Sequence, residues 1–386
     1  MQISRKIKFG VMAVAATLTF LPAAHAQSTI KLGVLLPTSG GGASVGLGIL
    51  DGVKLAVEEI NASGGVMGKK LELVSRDTQM KPDIASAVAK ELLTKEGVKI
   101  FIGPATSAES LAVSEFAKNE KVVDINPSAK AEALTGSNWH DYIFQLPPTT
   151  EVDGKRTAAL LKEIGAKNVC FTGFDYPYTQ DLFRGIRANL GDIKDAGNYL
   201  VPLGATDYNT VVTQLLGNNC DTIMGTTWGP GFVAFVKQAT PFGLFKNKKL
   251  VWGSNLGEYA VAAALKGDFP EGLWATASDL WYGNASPAHA KFQENLAKLQ
   301  GKKETGMWSI TGYNSVYLAK AGIEKAKSTE PTAVAQAMKG LKFASPLGEL
   351  TVDPKTHRVN SPEFYGQIVS VPGSDIKRMA NPRVVR

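Results

Sequence analysis

The chain has few residues of the types that usually bind metals or carry redox chemistry. Its 386 residues include two cysteines and four histidines, and no C-x-x-C motif occurs. Three of the histidines, His140, His289 and His357, stand far apart in the sequence, and the fourth lies in the N-terminal segment. Structural and catalytic metal sites need several such ligands at short, regular spacing. The sequence therefore predicts no metal site.

The sequence also lacks the common motifs that bind nucleotides. The G-x-x-x-x-G-K-[ST] motif does not occur. Gly46, Gly48 and Gly52 resemble a dinucleotide fingerprint only loosely, because the last spacing differs and a long loop precedes them. We therefore expect no bound cofactor.

One motif suggests hydrolytic chemistry. The stretch Gly42–Gly46 matches G-x-S-x-G, with Ser44 as the nucleophile and Asp353 and His357 later in the chain. A nucleophile elbow turns directly from strand to helix, whereas Pro37–Ala43 lie between the predicted strand and this serine. We expect a flexible glycine loop near a ligand and no catalytic residues. The hydrolase alternative requires Ser44 within hydrogen-bond reach of His357.

No apolar run after residue 26 approaches the roughly 20 residues that cross a membrane. At the N-terminus, three basic residues precede an apolar run from Phe9 to Leu21 and the small-x-small sequence Ala24-His25-Ala26. This order predicts a secretory signal peptide over residues 1–26. No cysteine directly follows the cleavage site, where a lipid anchor would be attached, so we expect a freely diffusing periplasmic protein.

The excess of positive charge is small. Three of the cations behind the formal net charge of +7 lie in the predicted signal peptide, and the remaining lysines are spread among acidic residues. Proteins that bind nucleic acids concentrate Lys and Arg in a patch or run. We therefore expect no nucleic-acid partner.

The two cysteines, Cys170 and Cys220, each lie next to a predicted strand. A disulfide between them would close a loop of about 50 residues and contribute about 4 kcal/mol on the chain-entropy account. Two buried, unpaired thiols fit the sequence equally well. The sequence leaves both possibilities open.

The stretch from Gly97 to Ser110, GVKIFIGPATSAES, predicts a buried parallel strand that runs into the start of a helix. Thr106 and Glu109 have the spacing of a capping box, in which each satisfies a backbone N–H of the first turn. Ser107 is then free of capping. Its hydroxyl would stand beside unpaired N–H groups at the positive end of the helix dipole, which favour a carboxylate. The alternative is that Ser107 merely shares the cap.

Strand-like apolar runs alternate with amphipathic helices from residue 29 onward, and the pattern restarts after Thr150. This alternation predicts an α/β protein of two similar lobes, each with a parallel sheet. We expect Gly272–Ser278 to be a crossing between them, and the late strands near Pro346 and Phe364 to cross back. A cleft between the lobes would hold a ligand at the carboxyl ends of the strands.

Aromatic residues follow several predicted strands of the second half. Tyr176, Tyr178 and Trp228 lie past strand ends, where a ligand would bind, whereas Trp252 lies within a strand. We expect Tyr178 and Trp228 to line a pocket and Trp252 to pack in the core.

The chain resembles the periplasmic leucine/isoleucine/valine-binding protein family, the type I solute-binding proteins of ABC importers. The resemblance covers nearly all of the chain after residue 26 and is carried by IKLGVLLPTSG, GVKLAVEEINASGG, IFIGPATSAES, INPSAKAEALT, TTEVDG, YPYTQDLF and SPLGELTVDP. It implies two Rossmann-like lobes joined by a three-crossing hinge, with residues 29–148 and 277–349 in the first lobe and residues 149–276 and 350–386 in the second. It also implies a monomer that closes on a small ligand and presents it to membrane permease subunits.

The resemblance assigns four ligand-binding positions. Ser107 matches the serine that binds the ligand carboxylate, and Ser128 matches a small residue whose backbone carbonyl meets the amino group. Tyr178 matches a tyrosine that covers the ligand, and Trp228 stands where another aromatic residue is often found.

Two further positions depart from the amino-acid-binding pattern. Lys130 falls where amino-acid binders usually have a threonine. Asn255 falls near the position at which they have an acidic residue that pairs with the α-ammonium group of the ligand. Glu258 is close enough in the sequence to take that role if the alignment is shifted. A buried ammonium without a carboxylate partner is costly. If Lys130 points inward rather than to solvent, it favours an acid that lacks an amine, and Trp228 favours an aromatic one.

We therefore expect a receptor for a small carboxylate, with a branched-chain amino acid as the family default and an aromatic or other organic acid as the alternative. A sensor that binds the same ligand and signals to a membrane regulator is a further alternative. The sequence does not separate sensing from transport.

Overall fold

The protein is described here by a computed structural model that covers residue 1, residues 29–282 and residues 286–385. Apart from Met1, the predicted signal peptide lies outside the described residues and stays a prediction. Within the described ranges, no helix is both long and apolar enough to cross a membrane.

The first third of the chain alternates strands with helices, as the apolar pattern predicts. The elements are β1 (Ile30–Leu36), α1 (Ala43–Ala62), β2 (Leu71–Asp77), α2 (Pro82–Thr94), β3 (Ile100–Ile102), α3 (Ser107–Glu120), β4 (Val123–Asn126), α4 (Glu132–Thr135) and β5 (Ile143–Gln145). The residues of β3, β4 and β5 are buried throughout, as expected of strands with helices on both faces.

The middle of the chain repeats this design. Its elements are α5 (Thr150–Glu163), β6 (Asn168–Asp175), α6 (Pro177–Arg187), β7 (Lys194–Pro202), α7 (Asn209–Gly217), β8 (Thr222–Gly225), α8 (Gly229–Ala239), β9 (Lys249–Trp252), α9 (Tyr259–Leu265) and β10 (Trp274–Ala277).

The last part of the chain adds elements to both halves. They are α10 (Pro287–Gln300), α11 (Ser309–Ala326), α12 (Pro331–Met338), β11 (Lys342–Ser345), β12 (Gly348–Thr351), β13 (Glu363–Val369) and β14 (Arg378–Val385). Short 3-10 helices span Gly40–Gly42, Thr240–Phe242 and Lys266–Asp268.

The strands form two large sheets, one in each lobe. The first sheet has the order β2-β1-β3-β4-β5 and is parallel throughout. The second has the order β14-β13-β10-β9-β8-β6-β7, in which β13 and β14 join antiparallel to a parallel core. The predicted α/β fold of two lobes with parallel sheets is confirmed.

Three connections run between the lobes, after β5, after β10 and after β12. Helices α10 and α11 pack against α1 and the first sheet, although they follow a strand of the second sheet. Gly272–Ser278 was expected to be a crossing, and this is wrong, because Trp274–Ala277 pairs with β9 and β13 inside the second sheet. The crossing begins only after Ala277.

Cys170 and Cys220 form a disulfide, which resolves the question that the sequence left open. Their Cα atoms are 5.7 Å apart and their sequence separation is 50 residues. The bond ties β6 to the residues just before β8, which is its neighbour in the second sheet. A loop of this length corresponds to about 4 kcal/mol of stabilisation on the chain-entropy account.

Candidate functional site

Helix α3 begins with the capping box that the sequence predicts. The Thr106 hydroxyl oxygen accepts the backbone N–H of Glu109 at 3.4 Å, and the Glu109 carboxylate accepts the backbone N–H of Thr106 at 3.2 Å. Ser107 is the first helical residue, and its hydroxyl makes no hydrogen bond with any described residue. The N–H groups of Ser107 and Ala108 have no acceptor within the helix. This helix start is free to bind an anion.

A cavity that is partly open to solvent lies between the two lobes at this helix start. The residues that line it come from both lobes, and they are Pro37, Gly42, Val45, Ala105, Thr106, Ser107, Ser128, Ala129, Lys130, Tyr176, Tyr178, Trp228, Ser254, Asn255 and Trp308. All six residues predicted from the sequence, Ser107, Ser128, Lys130, Tyr178, Trp228 and Asn255, are among them.

The loop after β4 forms part of the wall from the first lobe. The Asn126 side chain accepts the backbone N–H groups of Ser128 at 3.1 Å and Ala129 at 2.9 Å, and it donates to the Ala129 carbonyl at 2.8 Å. The Ser128 hydroxyl donates to the Ala105 carbonyl at 2.9 Å. These bonds fix the loop against the residues that precede Ser107.

The second lobe contributes an aromatic wall. The Trp228 indole N–H donates to the Tyr176 hydroxyl at 3.1 Å, and the Tyr178 hydroxyl donates to the Gly253 carbonyl. Burial raises the pKa of both tyrosines well above the usual value, so their hydroxyls stay protonated. Trp252 is buried and donates to the Thr227 carbonyl at 2.8 Å, which confirms its predicted place in the core.

Asn255 lines the cavity, and its side chain is already engaged. Its amide oxygen accepts the Thr276 hydroxyl at 3.0 Å, and its amide N–H₂ donates to the Ser278 hydroxyl at 3.4 Å. Glu258 is buried beside Trp308, and it does not line the cavity. Burial raises the pKa of Glu258 to about 7. Among the described residues that line the cavity, none is Asp or Glu.

Lys130 points inward rather than to solvent. Only 4% of its surface is exposed. Its ammonium group donates to Asp153 at 2.8 Å and to Glu363. Among the described residues that line the cavity, Lys130 is the only Lys or Arg.

Sequence reasoning missed two aromatic residues of the wall. Trp308 directly precedes α11, and Tyr176, which was not predicted to line the pocket, directly precedes α6. Trp228, a predicted pocket residue, occupies the same position before α8. An aromatic residue immediately before a helix start is therefore the signal that would have found all three.

The contact on which the hydrolase alternative depends is absent. The Ser44 hydroxyl has no hydrogen-bond partner among the described residues. His357 lies instead against Phe144, with ring centroids 4.8 Å apart, and its Nδ1 is 3.1 Å from the Ile143 carbonyl oxygen. The described residues also contain no cluster of three or more His, Cys, Asp or Glu placed to hold a metal.

Comparison with known proteins identifies relatives along the whole fold. A family model described as "Periplasmic binding protein" matches residues 29–372. The leucine-, isoleucine-, valine-, threonine- and alanine-binding protein of Pseudomonas aeruginosa is 27% identical over 350 residues, which cover 90% of this chain and 91% of that protein. The Leu/Ile/Val-binding protein of Escherichia coli K12 is 27% identical over 334 residues, covering 84% and 87%.

Solved structures share the two-lobed fold. A solute binding protein of an ABC transporter from Rhodopseudomonas palustris HaA2, in complex with p-hydroxybenzoic acid, is 25% identical with a TM-score of 0.81, covering 92% of this chain and 97% of that one. The branched-chain amino acid transporter substrate binding protein LivJ of Streptococcus pneumoniae, in complex with isoleucine, is 23% identical with a TM-score of 0.81, covering 93% and 99%. The second likeness bears on the fold alone.

Proposed function

The chain belongs to the periplasmic binding protein family, and we propose that it is the periplasmic solute-binding component of an ABC importer. It captures a small carboxylate in the cleft and delivers it to permease subunits, without making or breaking a bond. One chain supplies both walls of the cavity, so the monomer is the proposed functional unit. The crossings after β5, β10 and β12 divide the chain into the two proposed lobes.

The proposal depends chiefly on Ser107. Its hydroxyl is unengaged, stands at the N-terminus of α3 and lines the cavity between the lobes. A carboxylate there would accept the hydroxyl and the first N–H groups of the helix, which are charge-assisted hydrogen bonds. The capping box holds the geometry ready in advance, because Thr106 and Glu109 satisfy the neighbouring N–H groups.

The proposed ligand is an acid without an amine, and an aromatic one. An α-ammonium group in the closed cleft would need a carboxylate partner, and the described lining residues offer none. Tyr176, Tyr178, Trp228 and Trp308 present ring surfaces that suit a planar apolar body. The relative bound to p-hydroxybenzoic acid supports this choice, whereas the 27%-identical relatives are named for aliphatic amino acids.

Closure of the cleft follows from ligand contacts in both lobes. Trp228 already packs against the hydrophobic cores of both lobes. A ligand that bridges Ser107 and Trp228 binds the closed state more tightly than the open one. A shift from mostly open to mostly closed requires about 5 kcal/mol of such preference.

A ligand screen by thermal shift and isothermal titration calorimetry tests the proposal. The panel contains benzoate, 4-hydroxybenzoate, leucine and isoleucine. A ligand that binds only the native state at 100 times its Kd stabilises it by about 2.7 kcal/mol. We expect the two aromatic acids to raise the Tm and the two amino acids to leave it unchanged. Binding of leucine alone would overturn the ligand class, and binding of no carboxylate would overturn the function.

A substitution at Ser107 tests the anchor. We expect Ser107→Ala to weaken benzoate binding about 10- to 100-fold, because a hydrogen bond to a charged group is worth about 1.5–3 kcal/mol. Ser110→Ala is the matched control, since Ser110 lies in the first turn of the same helix but bonds to the Pro104 carbonyl outside the cavity. Equal affinity in wild type and Ser107→Ala would remove Ser107 as the anchor.

A further inference from the structure

Four charged side chains meet at the hinge, next to the ligand cavity. We name Lys130, Asp153, Arg156 and Glu363 the hinge network. Lys130 donates to Asp153 at 2.8 Å and to Glu363, and Arg156 donates to Glu363 at 2.6 Å and to Asp153 at 3.3 Å. All four are largely buried, with side-chain exposures of 13% or less. Water therefore screens their charges only weakly.

The network joins the two lobes. Lys130 belongs to the loop after β4, in the first lobe, whereas Asp153 lies in the first turn of α5 and Glu363 is the first residue of β13. Helix α5 and strand β13 follow two of the three crossings. The two carboxylates that bind Lys130, those of Asp153 and Glu363, therefore belong to the second lobe and lie just after two of the crossings.

Only one of these four residues lines the cavity, and its ammonium group is directed at two carboxylates that do not line it. Lys130 lines the cavity, and Asp153, Arg156 and Glu363 do not. An ammonium group has three N–H donors, and Lys130 uses two of them on the carboxylates. With both carboxylates ionised, the four charges cancel. A ligand carboxylate held at Ser107, in the cavity that Lys130 also lines, would add one uncompensated negative charge near this buried group.

Asp153 is the carboxylate held less tightly. Glu363 accepts its Arg156 bond at 2.6 Å, whereas Asp153 accepts Arg156 only at 3.3 Å and Lys130 at 2.8 Å. Burial and the neighbouring Glu363 raise the pKa of Asp153 to about 7, although Lys130 and Arg156 oppose the rise. Lys130 and Arg156 hold the pKa of Glu363 below its usual value despite burial. The Tyr178 phenol also interacts with Asp153, and it stays protonated.

We propose that the hinge network couples ligand capture to a proton, which Asp153 takes up from solvent when an organic acid binds in the cavity that Lys130 lines. Protonation leaves the network with one net positive charge, which the ligand carboxylate then balances. Binding therefore tightens as the pH falls from 8 to 6, a range in which a carboxylic acid ligand remains ionised. This inference rests on the proposed function and adds a regulation to the same site.

Proton uptake can be measured on the wild-type protein. Benzoate is titrated by isothermal calorimetry at pH 6, 7 and 8, each in two buffers of different ionisation enthalpy. The account predicts a Kd about tenfold lower at pH 6 than at pH 8, and an uptake of a fraction of one proton that is largest near pH 7. Benzoate binding without proton uptake would overturn the coupling and leave the proposed function intact. Binding of no organic acid would overturn both.

Three variants test whether Asp153 is the group that takes up the proton. Asp153→Asn imitates the protonated carboxyl, so we expect tight benzoate binding at every pH and no proton uptake. Glu258→Gln removes a second buried carboxyl whose pKa is about 7, and we expect it to keep the wild-type uptake. Glu59→Gln is the control for an isosteric change at a hydrogen-bonded carboxylate outside the cavity, where Glu59 bonds to Tyr313 at 2.6 Å. Uptake that persists in Asp153→Asn, or that disappears in Glu258→Gln, would contradict the assignment.

Discussion

At the scale of single residues, His140 shows how burial fixes a protonation state. Its Nδ1 accepts the backbone N–H of Tyr142 at 3.2 Å, so Nε2 carries the proton and donates to the Ser114 hydroxyl at 2.9 Å. Burial, aided by the nearby Lys118, lowers the pKa of His140 to about 4. The folded protein therefore keeps this ring neutral at pH values where an unfolded histidine is charged.

This predicts a loss of stability in mild acid. Between pH 6.5 and 4 the unfolded chain binds a proton at His140 that the folded chain does not, so the free energy of unfolding falls as the pH falls. We expect His140→Gln to have a smaller fall than wild type over this range. Urea denaturation of both proteins at pH 7, 6, 5 and 4.5 measures the difference. Parallel pH profiles for the two proteins would contradict the prediction.

The residue scale also shows what sequence reasoning can reach. The role of Ser107 could be inferred because Thr106 and Glu109 are its close neighbours and their spacing is diagnostic. The partners of Lys130 could not, because Asp153 is 23 residues away and Glu363 is 233 residues away. Single-sequence patterns carry no information about contacts at that separation. The sequence therefore left the direction of Lys130 open.

At the scale of elements, the contact between α1 and α11 explains two glycines that resemble a nucleotide motif. A Cβ atom on Gly52 would lie 1.8 Å from the Ser309 carbonyl oxygen, and one on Gly312 would lie 2.0 Å from the Ile49 carbonyl oxygen. At Gly48 a Cβ atom would lie 3.1 Å from the Trp308 side chain. These glycines let the two helices approach closely and place Trp308 at the cavity.

We predict that Gly52→Ala destabilises the protein by about 2 kcal/mol or more, because the added methyl group forces the helices apart. The loss exceeds the gain of about 1 kcal/mol that alanine brings to a helix. Gly217→Ala is the control, since Gly217 ends α7 and a Cβ atom there meets nothing within 4 Å. Guanidinium denaturation measures both variants, and a Gly52→Ala variant as stable as wild type would refute the packing account.

Most elements followed from the sequence pattern, and the exceptions have a physical reason. The alternation of apolar runs and amphipathic helices predicted both parallel sheets. Strand β14 was not predicted, because it contains Pro382 and two arginines and lacks a strand-like apolar pattern. It lies at the edge of the second sheet and pairs only with β13, a position in which proline is tolerated.

At the scale of the whole molecule, the two lobes meet across the cleft. A Cβ atom on Gly229, at the start of α8, would lie 3.8 Å from the Ser44 hydroxyl at the start of α1. Trp228 and Trp308 each pack against the cores of both lobes. The starts of α1, α3, α6 and α8 therefore all approach one cavity. No local sequence pattern specifies how two lobes are oriented, so this arrangement could not be inferred in advance.

The central claim is that two lobes close on a carboxylate held at the start of α3. A crystal structure of the protein grown with benzoate tests it most directly. The account predicts a carboxylate oxygen at hydrogen-bond distance, about 2.6–3.0 Å, from the Ser107 hydroxyl, with the ring against Trp228 of the other lobe. Benzoate bound outside the cleft, or bound in the cleft with its carboxylate directed away from Ser107, would contradict it.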